Sequence, residues 1–89
     1  MANLYLIDKK AGPEALELAK DDKGAQVVLI QDGVYLDAKA VNAAGGKVYA
    51  VKRDVELRGL GGRLPSFAQQ IDYGQLVDLI LANKVINFA

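Results

Sequence analysis

Five short apolar runs, separated by amphipathic stretches, constrain this chain more than any motif in it. The most telling is Val27-Val28-Leu29-Ile30, within Gln26 to Gln31. A strand with one wet face alternates apolar and polar residues. An unbroken apolar run of strand length belongs to a strand covered on both faces, as in a parallel sheet. Leu4 to Ile7, Lys47 to Val51, a weaker stretch from Phe67 to Ile71, and Lys84 to Phe88 supply the other strands.

Helical patterns fill the intervals. Gly12-Pro13 opens the first, with Ala15, Leu16, Leu18 and Ala19 as its apolar stripe, and Asp21-Asp22-Lys23-Gly24 closes it. Asp32-Gly33 leads into a second, with Val34, Tyr35, Ala38 and Val41 on one face, ending near Gly45-Gly46. Asp54 is a candidate N-cap for a short third helix through Leu57, with Gly59 just past its end. Asp72 with Gln75 three residues later has the form of a capping box, and Leu76, Val77, Leu79 and Ile80 give the fourth helix its apolar face. Strands alternating with helices predict an α/β fold with a mainly parallel sheet and helices on both faces. With 89 residues the chain reads as one domain, 1–89. Helices of about two to three turns cover such a sheet thinly, so self-association or a partner is expected to bury what they leave exposed.

Composition then removes most chemistry. The chain has no Cys, His or Trp, no Thr, and a single serine, Ser66. Without Cys there is no disulfide, no thiolate nucleophile and no Cys-based zinc site. Without His there is no imidazole base and no Ser-His-Asp triad. The 11 basic and 11 acidic side chains balance, which argues against direct nucleic-acid binding. No run reaches the ~20 apolar residues of a membrane span, and no signal peptide is visible, so a cytoplasmic protein is expected. No cofactor, metal or enzymatic activity is indicated.

Some residues remain as contact candidates. Asp32, Gly33 and Tyr35 follow a buried strand at its C-terminal end, where open α/β sheets bind ligands. The plainer account is that Asp32 caps a helix and Gly33 permits the turn. Asp54 and Arg58 are candidates at the next strand end. Lys52, Arg53, Arg58 and Arg63 concentrate positive charge there, offset in part by Asp54 and Glu56, which favours a solvated face. Gly59-Leu60-Gly61-Gly62-Arg63 is glycine-dense but lacks the strand-to-helix setting and the Lys-Ser/Thr of a phosphate loop. Tyr5 and Tyr49 read as core, whereas Tyr35 and Tyr73 sit near helix starts and suit contacts. Asp8, Asp32, Asp54 and Asp72 could gather on one sheet edge around a hard cation, although helix capping accounts for three of them.

These residues also carry a family resemblance along nearly the whole chain. Leu4-Tyr5-Leu6-Ile7-Asp8 and Leu29-Ile30-Gln31-Asp32-Gly33-Val34-Tyr35 resemble the DsrH/TusB group of DsrE/DsrF/DsrH-like sulfur-relay proteins. Val48-Tyr49-Ala50-Val51-Lys52, Asp54 with Arg58-Gly59-Leu60, Ile71-Asp72-Tyr73 and Lys84-Val85-Ile86 agree in order. The resemblance implies a three-layer α/β/α sandwich whose five-stranded parallel sheet is ordered 4-3-2-1-5. It implies assembly with DsrE/TusD-like and DsrF/TusC-like paralogues, or homo-oligomers where these are absent. Such complexes pass persulfide sulfur between thiols, for tRNA wobble uridine 2-thiolation or dissimilatory sulfur oxidation. This chain has no thiol, so no catalytic residue carries over, and the resemblance implies an accessory subunit. A stand-alone homo-oligomeric module that retains the fold without sulfur transfer is the alternative.

Overall fold

The computed structural model describes residues 3–88. Strands β1 (Asn3–Ile7), β2 (Gln26–Leu29), β3 (Lys47–Val51), β4 (Ala68–Ile71) and β5 (Lys84–Phe88) form one sheet in the order β4-β3-β2-β1-β5. All four pairings are parallel, with Ile7 opposite Leu29 and Leu4 opposite Val85. Helices α1 (Gly12–Lys20), α2 (Lys39–Ala43), α3 (Lys52–Leu57) and α4 (Tyr73–Ala82) make the connections, with 3-10 turns at Lys9–Ala11 and Gln31–Tyr35. The expected α/β/α sandwich and strand order both hold.

Alternation along the strands deals apolar side chains to two cores. Tyr5, Ile7, Val27, Leu29, Val48 and Ala50 meet Ala15 and Ala19 of α1, Val41 of α2 and Val55 of α3. On the opposite face Leu4, Val28, Val51 and Ile71 meet Leu76, Leu79 and Ile80, all from α4. Each fully buried Val, Leu or Ile contributes about 1.5–3 kcal/mol, so the first core, with more buried members, carries most of the hydrophobic stabilisation. The second face has α4 as its only helical cover, which leaves Val77, Leu81 and Val85 exposed at 51%, 78% and 36%. Val85 lies on that same face, because it pairs in register with Leu4.

Local chemistry sets the helix ends. Pro13 sits in the first turn of α1, where a missing N–H costs nothing. The Asp72 carboxylate accepts from the Gln75 amide at 2.8 Å, while Asp72 N donates to Gln75 Oε1 at 3.0 Å, so the expected capping box is present. At the end of α3, Gly59 takes φ +65°, its amide donates to the Glu56 carbonyl, and Leu60 N donates to the Val55 carbonyl. Those two bonds form the left-handed Schellman stop that a glycine accommodates best.

Several sequence expectations need correction. The second helix does not run unbroken from Asp32 to Gly45. A 3-10 segment ends at Tyr35, Leu36 is extended, and α2 starts afresh at Lys39 after Asp37 Oδ1 accepts the Lys39 amide at 2.9 Å. Consequently Val34, Ala38 and Val41 are buried but Tyr35 is not. Val77 and Leu18, assigned to apolar helix faces, are also largely exposed. Tyr5 is core as expected, with its hydroxyl donating to Asp22 at 2.8 Å, whereas Tyr49 is only half-buried.

Candidate functional site

The C-terminal tips of β2 and β3 are tied together by one carboxylate and one guanidinium. β2 ends at Leu29, and Ile30 remains extended, its amide donating to the Ile7 carbonyl at 3.0 Å. Gln31 then turns the chain at φ +49°, a left-handed conformation uncommon for a residue with a side chain. The turn is held from outside: Gln31 N donates to Asp54 Oδ2 at 2.9 Å. Asp54 is only 8% exposed and is the one buried charged residue among the described residues. A buried carboxylate needs compensation, and it has two kinds here, a backbone N–H and a cation. Arg58, one turn along α3, places Nη1 3.7 Å from Asp54 Oδ1 and donates from Nη1 to the Asp54 carbonyl at 3.2 Å.

The same guanidinium reaches the other strand. Arg58 Nε donates to Asp32 Oδ1 at 2.9 Å. That bond, above all, raises the Arg58 pKa; burial opposes the rise, and the charges of Asp32, Asp54 and Tyr35 add to it. Arg58 therefore stays charged over the accessible pH range and locks the β2 turn to α3. Gly33 lies between Ile7 and this lock. A β-carbon there would be driven onto the Ile7 carbonyl oxygen and would stand 3.1 Å from the Asp8 α-carbon. Only glycine lets the turn seat against β1. Tyr35, 54% exposed, closes the 3-10 segment.

Of the five contact candidates, Asp32, Asp54 and Arg58 thus form one bonded group, Gly33 packs beneath it, and Tyr35 stands at its rim. The roles differ from the simpler capping account. Asp32 lies inside the 3-10 turn rather than before a helix, and its carboxylate serves Arg58. Asp54 is the third residue of α3, whose N-cap is Val51 without a side-chain bond; its carboxylate caps the neighbouring loop instead. Capping accounts for two of the four aspartates: Asp8, which accepts the Lys9 amide at 2.6 Å, and Asp72. Among the described residues no group of three or more acids could hold a metal ion.

A second feature at this edge is not legible as a unit in the sequence. Val51, Lys52, Arg53 and Glu56 meet Asp72 and Tyr73 around a cleft of about 270 Å³ at the tips of β3 and β4. The adjacent Lys52-Arg53 pair directly after a buried strand was the available signal. Pairing β3 with β4, which brings Asp72 and Tyr73 alongside, was implied by the family resemblance and not by periodicity.

The chain has no thiol or imidazole, and among the described residues this edge holds no metal-ligating cluster. The architecture defines a class: a small α/β/α protein with the β4-β3-β2-β1-β5 sheet, shared with the crystal structure of ychN protein from E. coli at a TM-score of 0.80. That likeness covers 99% of both chains at 16% identity, and so concerns the fold. Residues 9–86 match the family described as DsrH like protein. Over 73 residues the chain is 34% identical to Protein TusB of Salmonella arizonae and of Salmonella newport, covering 75% of each chain. The chain belongs to the DsrH/TusB-like family of sulfur-relay proteins.

Proposed function

We propose that this chain is a non-catalytic subunit of a DsrE/F/H- or TusBCD-like sulfur-relay complex, in which cysteine-bearing paralogues carry the persulfide. The observation that carries the reading is the absence of any cysteine in a member of a thiol-using family. A persulfide needs a sulfur nucleophile, and no residue here substitutes for one. The pathway served is either tRNA wobble uridine 2-thiolation or dissimilatory sulfur oxidation.

The thin face supports a partner. Val77 and Leu81 lie one helical turn apart on α4, and Val85 is exposed on β5. Exposed apolar side chains grouped in this way mark interaction surfaces. DsrE/TusD-like and DsrF/TusC-like paralogues are the proposed occupants. Tyr35 and the Asp32–Arg58–Asp54 group, on Gly33, form the proposed contact edge toward the relay partner.

Co-expression with these paralogues followed by size-exclusion chromatography tests the assignment. The wild-type chain should co-elute, and Val77→Lys with Leu81→Lys should abolish co-elution while leaving circular dichroism unchanged. A chain that ignores both paralogues and forms a stable homo-oligomer refutes the relay role and supports the stand-alone module.

A further inference from the structure

The cleft between the tips of β3 and β4 has a lining that no structural role explains. Val51, buried in the core, contributes to its lining. Lys52 and Arg53 line it too, and among the described residues neither forms an ion pair. Tyr73, 53% exposed, lines the same cleft, so one cleft holds a large exposed aromatic ring and two unpaired cations. The N-terminus of α4 takes no part, because the Asp72 carboxylate already occupies the Gln75 amide.

We propose that this cleft binds a nucleotide, with a planar base against Tyr73 and a phosphate on Lys52 and Arg53. The aromatic ring supplies stacking, which accepts any base because every base has a π-face. The cations supply the charge-assisted bonds that phosphate oxygens prefer. The two carboxylates narrow the choice. Asp72 is committed to its helix, but Glu56 lines the cleft with no ion-pair partner among the described residues. It repels a bare polyanion and accepts an N–H from a base carrying an exocyclic amino group. A nucleoside monophosphate with an amino-bearing base fits this balance better than a triphosphate or inorganic phosphate. The site is argued without the relay reading, since it uses no thiol, although Tyr73 stands one helical turn from Val77 on α4 and so borders the proposed paralogue surface.

NMR titration of the ¹⁵N-labelled chain with AMP, CMP, UMP and inorganic phosphate is the test. AMP and CMP should shift the amides of residues 51–56 and 72–74, and UMP should do so more weakly. Tyr73→Leu should weaken AMP binding on the order of fivefold or more, as loss of one stacking contact implies. Lys52→Gln with Arg53→Gln should remove most of it, and Glu56→Gln should erase the preference for AMP and CMP over UMP. All four side chains are exposed, so these variants keep the fold. A short single-stranded RNA that shifts the same amides about tenfold more tightly identifies a strand as the source; equal affinity identifies the free nucleotide. No shifts at these residues with about 1 mM nucleotide, or equal shifts with inorganic phosphate, overturn the proposal.

Discussion

Replacing Gly33 by alanine adds one methyl group and should cost the domain a large share of its stability. The added carbon points onto the backbone carbonyl of Ile7, with the Asp8 α-carbon 3.1 Å away, so no side chain can rotate aside. Overpacking of this sort costs about 1–3 kcal/mol. The obstructed carbonyl also accepts the Ile30 amide at 3.0 Å. Disturbing that bond leaves a buried donor short of a partner, at about 1–3 kcal/mol. Together the loss is about 2–6 kcal/mol, against a total of about 4–13 kcal/mol for a chain of this length. The melting temperature should fall by roughly 8 °C or more. Gly12→Ala is the matched control, because the atoms nearest its added carbon all belong to the side chain of Leu36, with Cδ1 the closest, Cδ2 at 3.0 Å and Cγ at 3.2 Å. Leu36 is half-buried and can change rotamer, so the control should lose about 1 kcal/mol or less. Thermal and urea unfolding followed by circular dichroism compare the two. If Gly33→Ala melts within about 4 °C of wild type, or no lower than Gly12→Ala, the backbone contact is not what requires glycine.

Other outcomes follow from the same structure. Asp72→Ala removes the capping box of α4 and should cost about 0.5–2 kcal/mol in urea melts. Arg58→Lys keeps the charge but not the fork that spans Asp32 and Asp54, so it should loosen Gln31, seen as faster amide exchange there. Burial, then the bond to Asp22, push the Tyr5 phenol from 10.0 up to about 12. Its stabilisation is complete below pH 10.0 and drains away as pH rises toward about 12, because the unfolded chain releases the proton first. Asp22, held below 3.8 by bonds from Asn3 and then Tyr5, gives the opposite limb, with stability lost as pH falls through that range. Tyr5→Phe should therefore flatten the alkaline limb of a melting-temperature profile and weaken the acid one; an unchanged alkaline limb would refute the assignment.

Much of the architecture was legible because it rests on periodicity. β3 and β5 match their apolar runs to the residue, and α1 starts at its Gly12-Pro13 signal. The sheet order is a different matter: periodicity is silent on it, and it came from the family resemblance. The helix after Asp32 was misread because one apolar spacing, Val34, Ala38 and Val41, is shared by two short elements separated by an extended Leu36. The local mark of that break is Asp37, whose carboxylate accepts the Lys39 amide where α2 begins. The contact candidates were chosen for their position after strands, and their bonding partners were not readable there. A cap is a local bond, and local preference favoured it; Asp32 and Asp54 instead bond across 26 and 23 residues of sequence, to Arg58 and Gln31.

By itself, the sequence determined what this protein cannot do and what kind of layers it must build. A missing thiol is missing in any fold, and unbroken apolar runs between amphipathic stretches must be covered on both sides. Tertiary structure decided what the charged residues are for. Parallel pairing of β2 with β3 brings Arg58 to Asp32 and buries Asp54 against the Gln31 amide. Pairing of β3 with β4 sets Tyr73 in one cleft with Lys52 and Arg53. Both depend on which strand lies beside which, a long-range choice made by the packing of the whole sheet. The missing thiol and imidazole were therefore readable residue by residue, and the grouping of the charged residues only once neighbouring strand tips stood together.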